Sequence, residues 1–588
     1  MVWDLSQLVD SVESVLIQKQ LDEMVTEAEK LHAKYRSRVA GLEAKEILSL
    51  LESKDALILK FEGPVRYGQL SYMANSTDDT AKQLNDAVRR ANMKVGQALT
   101  FIDIELGRLL VSRPSIVEDP NLAEYRHYLG RILRRAPHML SESEEQLIIA
   151  KDRNGVSAWE LLQNDWLSTR TFTMKIDGKK KTMPYGEIIG LYQSPNRDLR
   201  KQARQTVFES LGKDDIVWAS AIRAVCEDHI EICRLRKWQT TMTQSLIDND
   251  VDEQAIGSLM KTILNNTKLY HRYLKIKAQL MGLPKLADYD LLAPLPRSPE
   301  KTYAWEDARK EVNEAYREFD EQFGNWINDM YEKRRLDGKV RKGKASGAWC
   351  FAWMAGKAAF VLQSYNGRMT DLYTQAHELG HAIHGYLASR AQKPSNCEVG
   401  SCIAETGSLF GELLLTEHLL KIAKTNEEKQ AILVIVLDEF SNAAFQVSAR
   451  VLFEQSLYDA IQQGQFLDSE TISKLWLVAR DKINGDAVEW LDVLRWDWTK
   501  TPHYYIANYR FYNYPYVFAQ LFVFALYRLY KEQGRSFIPK LKALLAAGSS
   551  KSPRELSTEL GFNLTSETFW QNGMKQAEEF IQMLEKTF

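Results

Sequence analysis

At 588 residues the chain is too long for one ordinary hydrophobic core, so at least two subdomains, or one large helical assembly, are expected. Its 45% hydrophobic and 26% charged residues are those of a globular protein, and a net charge of −2 (76 Lys and Arg against 78 Asp and Glu) gives no electrostatic basis for nucleic acid or an anionic membrane as partner. The opening MVWDLSQLVDSVESV shows no basic stretch before an apolar core, the apolar run 516–527 is too short to span a bilayer, and 5 cysteines, an odd number, point to free thiols; a cytoplasmic location is expected.

In chain order, the N-terminal region is helical by pattern. Leu8, Val12, Val15, Leu16, Leu21, Val25 and Leu31 recur among charges at helical spacing over 5–35. The pattern resumes over 43–62 and 80–110, with no convincing strand before residue 150. Arg131, Arg134 and Arg135 are followed at once by Glu142, Glu144 and Glu145, so they read as a solvated helix face. Alternation in TRTFTMKIDGKKKTM (169–183) around Asp177-Gly178 predicts a hairpin. Helical pattern returns over 197–271. The stretch 282–299 contains Pro284, Pro294, Pro296 and Pro299 and cannot be one helix, but Tyr289, Leu291 and Leu292 are too apolar for a free linker; an ordered connection is expected.

Next come KASGAWCF (344–351) and AAFVLQSY (358–365), the second closed by Asn366-Gly367 and strand-like in composition. A strand there either offers its edge to an extended peptide or serves only as scaffold. The helix 370–390, TDLYTQAHELGHAIHGYLASR, then carries His377, Glu378 and His381 in the order H-E-x-x-H. Positions four apart share a helix face, so the two imidazoles can converge on one ion while Glu378 reaches the water that the ion activates. This is the donor pattern of a hydrolytic zinc site, and it needs a third protein ligand.

On the second helical run, 401–420, Glu405 and Glu412 are seven apart and on nearly one face; by spacing they are even candidates, with Glu398 a weaker rival. His384 shares a side of the motif helix but would strain a tetrahedral site, so a supporting role suits it better. Cys397 and Cys402 lack the second pair that a structural zinc knuckle requires. The stretch 501–518, TPHYYIANYRFYNYPYVF, supplies His503 and a dense set of tyrosines, most of them packing groups. A few can be donors for the oxyanion of peptide hydrolysis.

HELGHAIH followed by IAETGSLFGE closely resembles the oligoendopeptidase F branch of the thimet oligopeptidase family of zinc metallopeptidases. HMLSESEE (138–145), SPNRDLRKQA (194–203), ADYDLLAPL (287–295), GKASGAWCF (343–351) and PHYYIANYRFYNYPYVFA are similar to further family segments, so the resemblance extends over most of the chain. It implies that Glu405 is the third zinc ligand and Glu412 a supporting residue. Ser408, one turn after Glu405, is expected beside a ligand histidine. His503 matches the family's transition-state histidine. The tyrosines match less cleanly: Tyr512 is favoured as oxyanion donor and Tyr516 as substrate contact, with Tyr509 the rival.

The resemblance further implies a mainly α fold: two helical lobes enclosing a substrate channel, with a small β-sheet beside the motif helix. The lobes are expected at 1–200 (N-terminal) and 201–588 (catalytic). The expected function is a zinc-dependent oligoendopeptidase that hydrolyses internal bonds of short unstructured peptides through a metal-activated water. One Zn²⁺ would be held by His377, His381 and Glu405, with Glu378, His503 and Tyr512 catalytic. Gly347, Phe360, Tyr509 and Tyr516 would contact the peptide, with Phe360 on the 358–365 edge. Expected partners are oligopeptides alone, in a monomer or homodimer. The alternative is a metallocarboxypeptidase of the carboxypeptidase Taq type, for which Arg510 would have to grip the terminal carboxylate.

Overall fold

The computed structural model describes residues 1–296 and 301–588. It is mainly α-helical, with short strands in three small sheets among the described residues. The chain divides into two compact units, each built from three segments: Met1–Pro137, Glu300–Ile422 and Leu526–Phe562 in unit 1, and His138–Pro299, Ala423–Ala525 and Asn563–Phe588 in unit 2. The expected division at 200/201 is therefore corrected. That point lies inside the continuous helix Arg197–Gly212, where a chain does not part.

In unit 1, α1 (Ser14–Tyr35), α2 (Ala44–Ala74) and α3 (Asp79–Ser112) pack on one another. Ile17, Leu21, Met24 and Ala28, spaced by three and four, form the buried stripe of α1 against Leu57 and Phe61 of α2 and Leu84 and Val88 of α3. Truncating a fully buried leucine such as Leu21 costs about 2–5 kcal/mol. Two further helices follow, α4 (Trp305–Phe319) and α5 (Glu321–Glu332), and then a sheet of β1 (Leu336–Asp337), β2 (Trp349–Trp353) and β3 (Ala358–Leu362). The helices α6 (Met369–Ala391) and α7 (Thr406–Ile422) complete the part that matters for the site.

The sheet order is β1-β3-β2. Central β3 runs parallel to β1 (Leu336↔Val361) and antiparallel to β2 (Phe351↔Phe360). The expectation of a peptide edge at 358–365 is overturned, because β3 is paired on both sides and buried throughout. Phe360 is 1% exposed and packs against Trp3 and Trp353, so it cannot touch a substrate. The two edge strands are β1, two residues long and flanked by backbone bonds from Asp4 to Arg334 and from Gly338 to Met1, and the longer β2. Glu62 of α2, buried, accepts hydrogen bonds from the backbone N–H groups of Met354 (3.0 Å) and Ala355 (2.8 Å), which fixes the turn between β2 and β3.

Unit 2 contains the expected hairpin, Thr171–Ile176 against Lys179–Pro184, turning through Asp177 and Gly178, both left-handed. In the described part of the proline-spotted connection, Leu286 and Ala287 form a short strand with Val488 and Glu489, and buried Asp290 is held by Arg197 and Arg200. Pro299 lies outside the described residues. One composite helix, Asn426–Gln462, is long and apolar enough to cross a bilayer, but 67% of its most apolar window is buried within the protein, as in a core helix.

Candidate active site

Helices α6 and α7 meet backbone to backbone. A Cβ added at Gly380 would lie 2.3 Å from the carbonyl oxygen of Gly407, and one at Gly407 would lie 2.5 Å from that of Gly380. Only glycine permits this approach, and it brings Glu405, at the joint between the short helix Ser401–Ala404 and α7, opposite the imidazoles of α6.

His377 Nε2 and His381 Nε2 each lie 3.2 Å from the same carboxylate oxygen, Glu405 Oε2. A tetrahedral ion with bonds of about 2.0–2.1 Å spaces its donors roughly 3.3 Å apart, so this donor set fits a Zn²⁺-sized cation. Glu412 lies on the other side of His377, its Oε1 2.6 Å from Nδ1. The carboxylate can only accept there, so Nδ1 donates, and a metal that displaces the Nε2 proton would find its lone pair aimed at the ion. Glu405 and Glu412, equivalent by spacing, thus serve opposite nitrogens of one ring.

Burial opposes charge on His377, but Glu405 and Glu412 outweigh it and hold the ring well above the usual imidazole range. Burial likewise acts against ionised Glu405, and hydrogen bonds from His377 and His381 overcome it, holding the carboxyl far below its ordinary value. A site that stabilises positive charge so strongly between three side chains is electrostatically suited to a cation.

Ser408 corrects an expectation: its hydroxyl donates to Glu405 Oε2 at 2.7 Å, not to a histidine. His384 stays out of the donor set. It is buried with Nε2 unpartnered, and burial pushes its ring down to about 4. Glu398, Cys397 and Cys402 join no group of potential metal ligands, and all 5 cysteines are free.

Glu378 is 6% exposed, and among the described residues its carboxylate makes no hydrogen bond. Burial raises its pKa while His377 and His381 pull it back. Cys350 of β2 is a neighbour, its thiol pushed well up by burial and by the Glu378 charge. Gly347 lies in the loop entering β2.

The aromatic cluster belongs to unit 2. The rings of His503 and Tyr512 stack at 5.0 Å, while Tyr516 packs edge-on to both and Tyr509 edge-on to Tyr512. Burial, assisted by Arg450, pushes His503 down to about 4, so the ring is neutral at pH 7. The Tyr509 hydroxyl accepts a hydrogen bond from Asn249 at 2.6 Å, whereas that of Tyr512 makes none among the described residues. Tyr516 is 39% exposed.

Arg510 is 1% exposed and committed within unit 2. Its Nε donates to the Tyr458 hydroxyl (2.7 Å) and its Nη1 to the carbonyls of Tyr504 and Ile506, with Glu454 at 3.5 Å. Glu454 in turn accepts from Phe511 N–H and Asn513. A guanidinium buried to 1% exposure and already facing the Glu454 carboxylate is out of reach of a substrate carboxylate, which removes the residue the carboxypeptidase alternative required. Sequence reasoning missed Glu62, Asn249 and Glu454, because each acts on a residue far away in the chain.

Comparisons with known proteins agree with this chemistry. A model described as Peptidase family M3 matches residues 191–576, and one described as Oligopeptidase F matches residues 115–172. Group B oligopeptidase PepB of Streptococcus agalactiae serotype III is 28% identical over 87% of this chain and 86% of its own. In fold, the chain is similar to a putative peptidase from Chlamydophila abortus (TM-score 0.89, 20% identity, 100% and 98% of the two chains). It is also similar to oligoendopeptidase-F from Enterococcus faecium (TM-score 0.70, 21% identity, 97% and 98%).

Proposed function

Because this chain belongs to peptidase family M3, in its oligoendopeptidase F branch, we propose that it is a zinc-dependent endopeptidase that cleaves internal bonds of short, unstructured peptides. The observation that carries the reading is an untethered, buried Glu378 carboxylate next to three donors spaced for one ion.

In this reading His377, His381 and Glu405 hold Zn²⁺. When bound, the ion supplies Lewis acidity toward a water and toward the scissile carbonyl. Glu378 takes the proton of the attacking water and passes it to the departing amine, a role that suits a carboxylate whose proton affinity burial has raised. Glu412 and Ser408 keep His377 and Glu405 oriented. The free edge of β2, entered through the Gly347 loop, pairs with the backbone of an extended peptide, which favours unstructured substrates over folded ones. The family resemblance alone assigns His503 and Tyr512 as donors to the oxyanion and Tyr516 as a substrate contact.

The deciding experiment is mass spectrometry of products from a pool of peptides blocked at the C-terminus, with and without a chelator. Internal cleavage that stops on chelation and returns with Zn²⁺ is expected. Removal of terminal residues alone, or cleavage indifferent to the chelator, would overturn the reading.

A further inference from the structure

Among the described residues a second group of potential metal ligands comes together away from the first: Glu311, Glu314 and His418, their donor atoms all within 4.8 Å of one another. His418 is on α7, 4% exposed, and faces α4. It follows Glu405 by thirteen residues, roughly 20 Å along a helix at 1.5 Å per residue, so the two groups are separate.

On α4, Glu311, Glu314 and Glu318 are spaced by three and four and share a face. His418 Nε2 lies 2.8 Å from Glu311 and 3.9 Å from Glu314, while Nδ1 lies 3.0 Å from Glu318, whose other oxygen is held by Lys421 at 2.7 Å.

Two arrangements satisfy this ring. In one, a doubly protonated imidazole bridges Glu311 and Glu318, and Glu314 is a bystander. In the other, Nδ1 donates to Glu318 and Nε2 offers its lone pair to a cation shared with Glu311 and Glu314. The second repeats the pattern at His377, where one carboxylate stands at Nδ1 and another at the ligand face of Nε2. Charge favours it too. Glu311, Glu314 and Glu318 stand against the ring, and Lys421 pairs with Glu318 and with Glu417, which Lys531 also holds; a charged imidazole still leaves one negative charge in this group uncompensated, whereas a divalent ion beside a neutral imidazole cancels it. Distances of 2.8 and 3.9 Å bracket the roughly 3.3 Å between donors on a tetrahedral ion, so small side-chain shifts suffice.

We infer that Glu311, Glu314 and His418 form a second, non-catalytic site for a divalent first-row transition ion, of the Zn²⁺ or Mn²⁺ class, that clamps α4 to α7. One imidazole nitrogen with two carboxylates suits such an ion better than Ca²⁺, which takes six to eight oxygens. Glu314 is 45% exposed, which leaves the open coordination positions to water. The clamp has a mechanical sense. Tyr316 of α4 donates to the Ala376 carbonyl of α6 at 2.6 Å, so α4 braces both helices that carry the first donor set.

The test counts ions in the full chain by plasma mass spectrometry after saturation with Zn²⁺ and desalting. Two equivalents are expected in the unsubstituted protein, and one each in His381→Ala and His418→Ala. His418→Ala should hydrolyse peptides within about two-fold of the parent rate. Glu314→Gln leaves the bonds of His418 to Glu311 and Glu318 in place and is no threat to folding; it should weaken the second equivalent by about ten-fold or more. A single equivalent in the parent protein, or a second equivalent undiminished in Glu314→Gln, overturns the inference. Glu314→Gln decides the matter alone if His418→Ala does not fold.

Discussion

The imidazole of His377 is held at both nitrogens, Nδ1 2.6 Å from Glu412 and Nε2 3.2 Å from Glu405. The two carboxylates therefore make separable contributions. Glu405→Ala removes a donor and should abolish stoichiometric metal retention. Glu412→Gln keeps a hydrogen-bond partner of nearly the same shape and should weaken affinity by about 10–100-fold. Zinc titration against a competing chelator measures both. If Glu412→Gln proved the more damaging, the two roles would have to be exchanged.

Glu378→Gln separates binding from turnover. The side chain has no structural hydrogen bond to lose among the described residues, so the variant should fold and load metal normally while kcat drops by about 10²–10⁴-fold. Hydrolysis near the parent rate, with full metal content, would remove Glu378 as the base.

The contact of α6 with α7 sets the distance between donors. Gly380→Ala places a methyl 2.3 Å from a backbone carbonyl that has nowhere to retreat. The helices must part, at a cost of about 1–3 kcal/mol or more for overpacking, and zinc affinity should fall in step. Thermal melting read beside zinc titration checks this; a variant as stable and as tight as the parent contradicts the geometry.

Within the aromatic cluster, Tyr509 is tied to Asn249, whereas the Tyr512 hydroxyl is uncommitted among the described residues. Tyr512→Phe is expected to lower kcat by about 10²–10³-fold with little change in KM, the signature of a donor used in the transition state, and Tyr509→Phe to do less. The reverse order in steady-state kinetics would move the assignment to Tyr509.

His229 gives unit 2 a pH signature. Burial pushes its pKa from 6.5 down to about 4, with its Nε2–H donating to the Thr241 carbonyl and its ring against Tyr458. The unfolded chain then binds the proton more readily than the folded one. The stabilisation is full above about pH 6.5 and is lost as pH falls towards 4, by an amount on the order of 3 kcal/mol. In His229→Leu the loss of melting temperature between pH 7.5 and pH 5 should be smaller than in the parent; equal slopes would show that the ring is not the titrating group.

How much of this was legible in the sequence depends on the reach of each interaction. The motif helix and the Asp177-Gly178 hairpin rest on contacts within a few residues, and periodicity exposes those. The placement of 358–365 as an edge failed because its second neighbour, Leu336–Asp337, is two residues long and carries no pattern. Helical spacing put Ser408 on the right face but could not say which side chain it would meet. Arg510 looked like a free cation beside tyrosines, since nothing local reveals Glu454 and Tyr458 closing over it. The discontinuous units are likewise invisible to any window along the chain.

The unpaired rim of β2 has a consequence for the isolated protein. A row of unanswered backbone groups beside a half-exposed Trp349 does not distinguish a passing peptide from a loosened strand of a second molecule. Its safeguard is brevity: five residues, 349–353, are too few to nucleate a lasting intermolecular ladder. Lengthening that strand in an engineered version would invite self-association sooner than tighter peptide capture.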